Sequence, residues 1–232
     1  MTNQGRRDFL KTGVMFGTGV TLCSIRRTGD DRNLPDEVKT SIFDVFQKRR
    51  SVRNYTASPV PKEHIEKIID AARMAPTAGN QQPWKFLIIR DRNKLNALEE
   101  ACIANSLVRY KSQQNPSEDE MNEYEESIRG YYKNVFLAPV FIVVLVETQS
   151  KWSSYNKHDG PLAAGYLMLA ARALGYGTVY FTDSITEEVT KRVLRIPDRY
   201  ERICITPIGI PEEWPKKPPK KNFDELVVYE TF

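Results

Sequence analysis

Arg49-Arg50-Ser51-Val52-Arg53 is followed, further along the chain, by Ala75-Pro76-Thr77-Ala78-Gly79-Asn80-Gln81-Gln82-Pro83-Trp84. The first block packs three guanidiniums and a hydroxyl into five residues. Guanidinium forks match phosphate oxygens bidentately, and a neighbouring serine adds a neutral donor. The second block is a turn-forming loop with little bulk around Gly79, ending in side-chain amides and an indole. Such a loop can lie against a flat, hydrogen-bonding heterocycle. Together they point to a site for a phosphorylated planar ligand. Taken alone, the same residues also suit a basic helix end beside an ordinary polar loop, because basic clusters are commonly solvated faces.

Outward from these blocks, helical and extended patterns alternate. Val38, Ile42, Val45, Phe46 and Arg49 recur at helical spacing, predicting an amphipathic helix over 36–50. Ser58-Pro59-Val60-Pro61 is a helix entry with Pro61 at the first helical position, Ile65, Ile68, Ile69 and Ala72 form the core-facing stripe, and Pro76 is the stop. Residues 84–90 read as a strand and 93–102 as a helix. Residues 140–146 are a continuous β-branched and apolar run, the pattern of a buried central strand. Residues 162–174 form a buried Ala-rich helix, and 178–181 and 203–208 read as further strands. From Pro211 onward the Pro/Lys-rich tail predicts an extended arm; its ending, 226–229, is strand-like and needs a partner. The order of elements indicates an α+β domain.

The acidic stretch 111–130, with Glu118, Asp119, Glu120, Glu123, Glu125 and Glu126, has two readings: a solvated helix face, or a mobile lid over a pocket. Tyr124, Tyr131, Tyr132 and Phe136 would give such a lid an aromatic inner side.

The 232 residues carry 41% hydrophobic side chains, enough for a substantial core, and a net charge of +4. Of 34 basic and 30 acidic residues, the first 29 positions hold five basic (Arg6, Arg7, Lys11, Arg26, Arg27) and one acidic (Asp8), leaving 29 of each sign. A neutral body argues against non-specific nucleic-acid binding. Cys23, Cys102 and Cys204 are scattered, and His64 and His158 are far apart, so neither a zinc nor an iron–sulfur site is expected. Gly5-Arg6-Arg7-Asp8-Phe9-Leu10-Lys11 precedes an apolar run too short to span a bilayer. The order R-R-x-F-L-K resembles a twin-arginine export signal. That implies a leader over 1–33, a mature domain over 34–232 and a periplasmic or envelope location; a cytoplasmic one follows if the leader does not function.

The pattern R-R-S-x-R-x-Y, then A-P-T-x-x-N-x-Q-P-W, resembles the FMN-dependent nitroreductase family. Asp159-Gly160-Pro161-Leu162-Ala163-Ala164, running into Leu169 and the turn Gly175-Tyr176-Gly177, matches in the same order. So does Pro207-Ile208-Gly209-Ile210-Pro211 with Lys220-Lys221 and the closing Glu225-Leu226-Val227-Val228-Tyr229-Glu230. The likeness covers residues 40–232. It implies a central mixed sheet flanked by helices, and a homodimer whose C-terminal arm crosses to the partner, with FMN at each dimer-interface pocket.

By resemblance, Arg49, Arg50, Ser51 and Arg53 hold the FMN phosphate and ribityl end. Lys220 and Lys221 stand where the family places a C-terminal basic pair, with Lys216 and Lys217 as substitutes. Pro76, Thr77, Asn80 and Gln82 match the ring-binding loop, and Trp84 reads as core packing. After Gly177, where relatives carry a Trp and paired glycines near flavin N5, this chain reads Thr178-Val179-Tyr180-Phe181-Thr182-Asp183. There a backbone N–H of Phe181 or Thr182 is the expected contact. No nucleophile–base pair stands out, as expected when the cofactor carries the chemistry. The resemblance implies a ping-pong oxidoreductase that takes hydride from NAD(P)H or another donor and reduces nitroaromatic, quinone or similar acceptors. Two alternatives remain open: a specialised relative, such as a reductive dehalogenase or flavin-fragmenting enzyme, and a non-catalytic flavin-binding redox sensor.

Overall fold

The computed structural model describes residues 41–231; the leader and residues 36–40 of the predicted first helix lie outside them. In chain order the elements are α1 (Ile42–Lys48), α2 (Lys62–Ala72), β1 (Trp84–Ile89), α3 (Arg92–Gln114), α4 (Glu118–Phe136), β2 (Val140–Glu147), α5 (Asn156–Ala173), α6 (Glu187–Leu194) and β3 (Tyr200–Ile208).

Everything is built on β2. Its first seven residues are buried, and alternate side chains enter two different cores. Phe141, Val143 and Leu145 pack with Leu95, Leu98, Cys102 and Ile103 of α3, Tyr132 and Phe136 of α4, and Val189 of α6. Val140, Ile142 and Val144 pack with Ile65, Ile68 and Ala72 of α2 and with Ala164, Leu167 and Ala171 of α5. Helices therefore cover both faces, which is why the strand is apolar throughout and shows no polar alternation. β1 and β3 pair with β2 on either side, both antiparallel, in registers such as Phe86↔Val144 and Ile142↔Thr206. A bulge falls between Val144 and Leu145.

The predicted strand over 178–181 is not a ladder. Its hydrogen bonds are divided among three partners: the Gly177 N–H goes to the Gly209 carbonyl, the Thr178 carbonyl accepts from Val52, and Phe181 pairs with Ile205. The Ser51–Thr178 bridge is parallel and ties the arginine block to the sheet. Other boundaries shift for local reasons. Pro61 caps α2 from outside it, and α2 ends at Ala72, well before Pro76. α3 runs beyond residue 102 to Gln114 and stops where Asn115 turns left-handed (φ 46°). α5 begins at Asn156 and accommodates Pro161.

The acidic stretch is the α3–α4 turn and the start of α4. Ser117 and Glu120 form a capping box, and Glu118, Asp119 and Glu120 sit in the first helical turn, where the helix dipole favours negative charge. Most of its side chains face solvent.

Two apolar surfaces stay open. In α1 only Val45 is buried, while Ile42, Phe43 and Phe46 are exposed. In the tail, Phe223 sits in a short 3-10 turn, and the predicted strand 226–229 has no ladder partner among the described residues of this chain. Phe223, Leu226, Val228 and Tyr229 are exposed.

Gly160 in α5 lies where β2 and β3 press closest: a Cβ there would come within 2.4 Å of Ile203 Cγ1 and 3.0 Å of Val146 Cγ1. Alanine ordinarily favours a helix over glycine by about 0.5–1 kcal/mol. Here overpacking wins, and Gly160→Ala is expected to lower stability by about 1–3 kcal/mol in urea unfolding.

Candidate functional site

α1 is capped by Arg49, whose backbone turns extended (ψ 133°). The chain then runs as a strand-like segment with Val52 fully buried, and Ser51 and Arg53 on the outer side. The Val52 N–H donates to the Thr178 carbonyl at 2.9 Å, and the buried Tyr55 hydroxyl donates to the Val52 carbonyl at 2.8 Å. The return chain passes alongside: the Thr56 N–H donates to the Ile210 carbonyl and the Glu212 N–H to the Asn54 carbonyl. Trp214 is held under the Arg172 guanidinium at 3.7 Å. This path lays the lysine-rich tail over the arginine block and encloses a cleft of about 490 Å³.

The cleft is lined by Arg49, Arg50, Ser51 and Arg53 from one side and by Lys216, Lys217 and Lys220 from the other, with Phe46 at its edge and no carboxylate among the described residues of its wall. Lys221 does not line it, while Lys216 and Lys217 do. Arg50 turns one nitrogen onto the Gln47 and Arg49 carbonyls (2.6 and 2.7 Å), and its Nε is buried without a partner among the described residues. Six like charges around one cavity repel one another unless an anion sits between them, and a buried N–H without an acceptor points the same way. The residues fit a phosphate.

The second predicted element is a strained loop. Gly79, Asn80 and Gln82 all have positive φ (53°, 53° and 49°). Gly79 also lies so close to Trp152 that a Cβ would come within 2.7 Å of the indole nitrogen. The loop is fastened from outside by Asp159, 3% exposed near the start of α5. Its Oδ1 accepts from the Ala78 N–H at 3.1 Å, and its Oδ2 from Gln81 Nε2 at 2.7 Å. Gln81 also bonds Trp152 backbone to side chain in both directions, at 2.7 and 3.1 Å. Inside the loop, the Thr77 hydroxyl accepts from the Gln82 N–H, and Gln82 Nε2 donates to Asn80 Oδ1. Asn80 and Gln82 are exposed, as is Pro76, and Thr77 is half-buried. None of these residues lines the cationic cleft.

Asp159, Gln81 and Trp152 were missed as site residues. A detectable signal did exist: a carboxylate leading into a buried Ala-rich helix must find donors, and the adjacent loop is rich in them.

The third expectation is corrected in part. The Phe181 N–H donates to the Ile205 carbonyl at 3.1 Å, so it is already engaged and cannot serve a ligand. Thr182 is exposed and its N–H makes no such bond among the described residues. Behind it, Arg202 donates to the Phe181 and Thr182 carbonyls at 3.1 and 2.7 Å. Burial pushes the Cys102 and Cys204 thiols up to about 12, against the opposing pull of Arg202, so neither is a nucleophilic thiolate near neutrality.

A sheet buried under helices on both faces, with an arginine block, a lysine tail and an amide loop projecting from it, defines a binder of a phosphorylated planar cofactor. Residues 46–210 match the Nitroreductase family, and the chain belongs to that family. It is 30% identical to an iodotyrosine deiodinase from Thermotoga neapolitana over 82% of this chain and 98% of that one. It is 29% identical to an NADH dehydrogenase from Thermus thermophilus, covering 72% and 84%. Among solved structures, an oxidised iodotyrosine deiodinase bound to FMN and 3-iodo-L-tyrosine superposes with a TM-score of 0.67 at 26% identity, covering 83% of this chain and 100% of that one.

Asp159→Ala removes the side-chain acceptor of the Ala78 N–H. A stability loss of about 1–3 kcal/mol is expected. Faster amide exchange at Ala78 and Gln81, with the β2 amides unchanged, would locate the damage in the loop.

Proposed function

We propose that the protein is an FMN-dependent oxidoreductase that draws reducing equivalents from NAD(P)H or another donor and passes them to nitroaromatic, quinone or similar acceptors. The observation that carries this is the cleft in which the arginine block meets Lys216, Lys217 and Lys220 without a counter-charge among the described residues. When bound, FMN supplies two-electron chemistry between donor and acceptor. The protein's own residues bind and orient. Arg49, Arg50, Arg53 and the three lysines hold the phosphate, and Ser51 adds a neutral donor. Asn80 offers an amide that donates and accepts against the ring, and the Thr182 N–H offers a further donor.

The protein is a homodimer in this reading. The exposed apolar face of α1 and the exposed tail residues Phe223, Leu226, Val228 and Tyr229 are what a second copy would cover. The separation of the amide loop from the cationic cleft within one protomer fits a site completed by the partner. If the leader exports the protein, its physiological donor is a periplasmic or membrane-derived reductant and turnover with NAD(P)H in vitro is incidental. Recovery of the protein in the cytosolic fraction would overturn that location.

A second reading, reductive dehalogenation of a halophenol, has a specific support in the deiodinase relatives. The α3–α4 hairpin is compatible with either acceptor. Tyr110 and Tyr124 stack with centroids 3.9 Å apart, and with Tyr131, Tyr132 and Arg109 they line a cleft of about 260 Å³ against Asp183 and Ser184. Comparing kcat/KM for a nitroaromatic, a quinone and 3-iodotyrosine decides between them. A thousandfold preference for the iodinated phenol would replace the first reading with the second.

For the cofactor, purified protein is expected to bind FMN and to bleach on anaerobic addition of a donor. Arg53→Ala and Lys220→Ala are each expected to weaken FMN binding by about 10- to 100-fold, the value of a hydrogen bond to a charged group. Lys221→Ala should leave it unchanged.

A further inference from the structure

Arg202 occupies a core position of β3 and is only 7% exposed. Burying a guanidinium is costly, and an apolar side chain would pack the same strand more cheaply. The acids acting on it are Glu187 and Asp183, yet its side-chain hydrogen bonds go to neither. Nη1 donates to the Phe181 carbonyl and Nη2 to the Thr182 carbonyl, while Nε is buried without a partner among the described residues. The next two carbonyls are also taken by side chains: Arg109 Nη1 donates to that of Asp183 at 3.4 Å, and the Tyr132 hydroxyl to that of Ser184.

Four successive carbonyls are thus held by side chains of β3, α3 and α4. The backbone N–H groups of residues 182–184 make no hydrogen bond among the described residues, and all three residues are exposed. Successive free amides of this kind form a surface that favours negative charge. Burial lowers the Arg202 pKa, but an arginine remains a cation across the physiological range. A fixed positive charge therefore stands directly behind the amide row.

We propose that Arg202 is a positioning residue for the flavin: by holding the Phe181 and Thr182 carbonyls inward, it presents the amides of residues 182 and 183, which share their peptide planes, to the ring and favours the cofactor's more negative, reduced state. The inference rests on the flavin reading given above. Arg202 touches neither cofactor nor substrate in this role; it acts through the backbone of 181–182.

The test is the midpoint potential of FMN bound to the full chain, by dye equilibration, with the oxidised-FMN Kd measured alongside. Arg202→Met is expected to leave the oxidised Kd nearly unchanged and to weaken reduced relative to oxidised binding about tenfold, a drop of about 30 mV for a two-electron couple. Arg202→Lys, whose single ammonium cannot fork across both carbonyls, is expected to fall by less. A merely structural arginine would lower the melting temperature and leave the potential alone. A folded Arg202→Met at the wild-type potential overturns the proposal, and if that variant does not fold, Arg202→Lys at the wild-type potential does so. Wild-type protein that binds no FMN overturns the flavin reading itself, and this inference with it.

Discussion

The burial of β2 on both faces is the constraint on which the rest of the molecule depends. Seven consecutive residues, from Val140 to Val146, are removed from water, each large side chain contributing about 1.5–3 kcal/mol of hydrophobic stabilisation. That burial is achieved only if helices lie on both sides. α2 and α5 take one face and α3, α4 and α6 the other. Once those helices are placed, the segments joining them have little freedom. The chain leaving α1 must run beside residue 178, and the loop after α2 must meet the start of α5.

Functional groups stand on this frame where burial forces the backbone to display them. Val52 is fully buried and bonded to Thr178, so the alternation of an extended chain turns Ser51 and Arg53 outward. Asp159 is buried and must be satisfied, so it draws in the Ala78 amide and Gln81, leaving Asn80 and Gln82 outside. Arg202 repeats the logic on β3, taking backbone carbonyls and leaving amides exposed. In each case an inward group obliged to find a partner fixes the direction of an outward one.

The electrostatics follow a different rule. A body that is neutral overall concentrates six cations on one cavity with no acid among the described residues of its wall. Such an arrangement is unfavourable in an empty protein and favourable around an anion. Stability and binding are therefore opposed at this site, as is common where function requires like charges side by side.

The continuous run of β2, the apolar stripe of α2 and the Ala-rich stretch of α5 were legible because each pattern has a single inexpensive way to be buried. The arginine block and the amide loop were legible as candidates, since residue type alone sets which groups can fork onto a phosphate or face a heterocycle. Residues 178–181 were misread: their β-branched composition suits a strand, but whether a segment finds one continuous partner or three separate ones depends on distant chain. The Phe181 amide failed as a ligand donor for the same reason, its acceptor lying at Ile205. The roles of Asp159 and Arg202 were likewise decided by tertiary structure, because a buried charge takes its meaning from the groups that fold around it. The sequence by itself determined most of the elements and the kind of ligand. Only the tertiary structure decided that Lys216, Lys217 and Lys220, not Lys221, share the arginine cleft, because reach across space depends on the path of the chain after Trp214 and not on spacing along it.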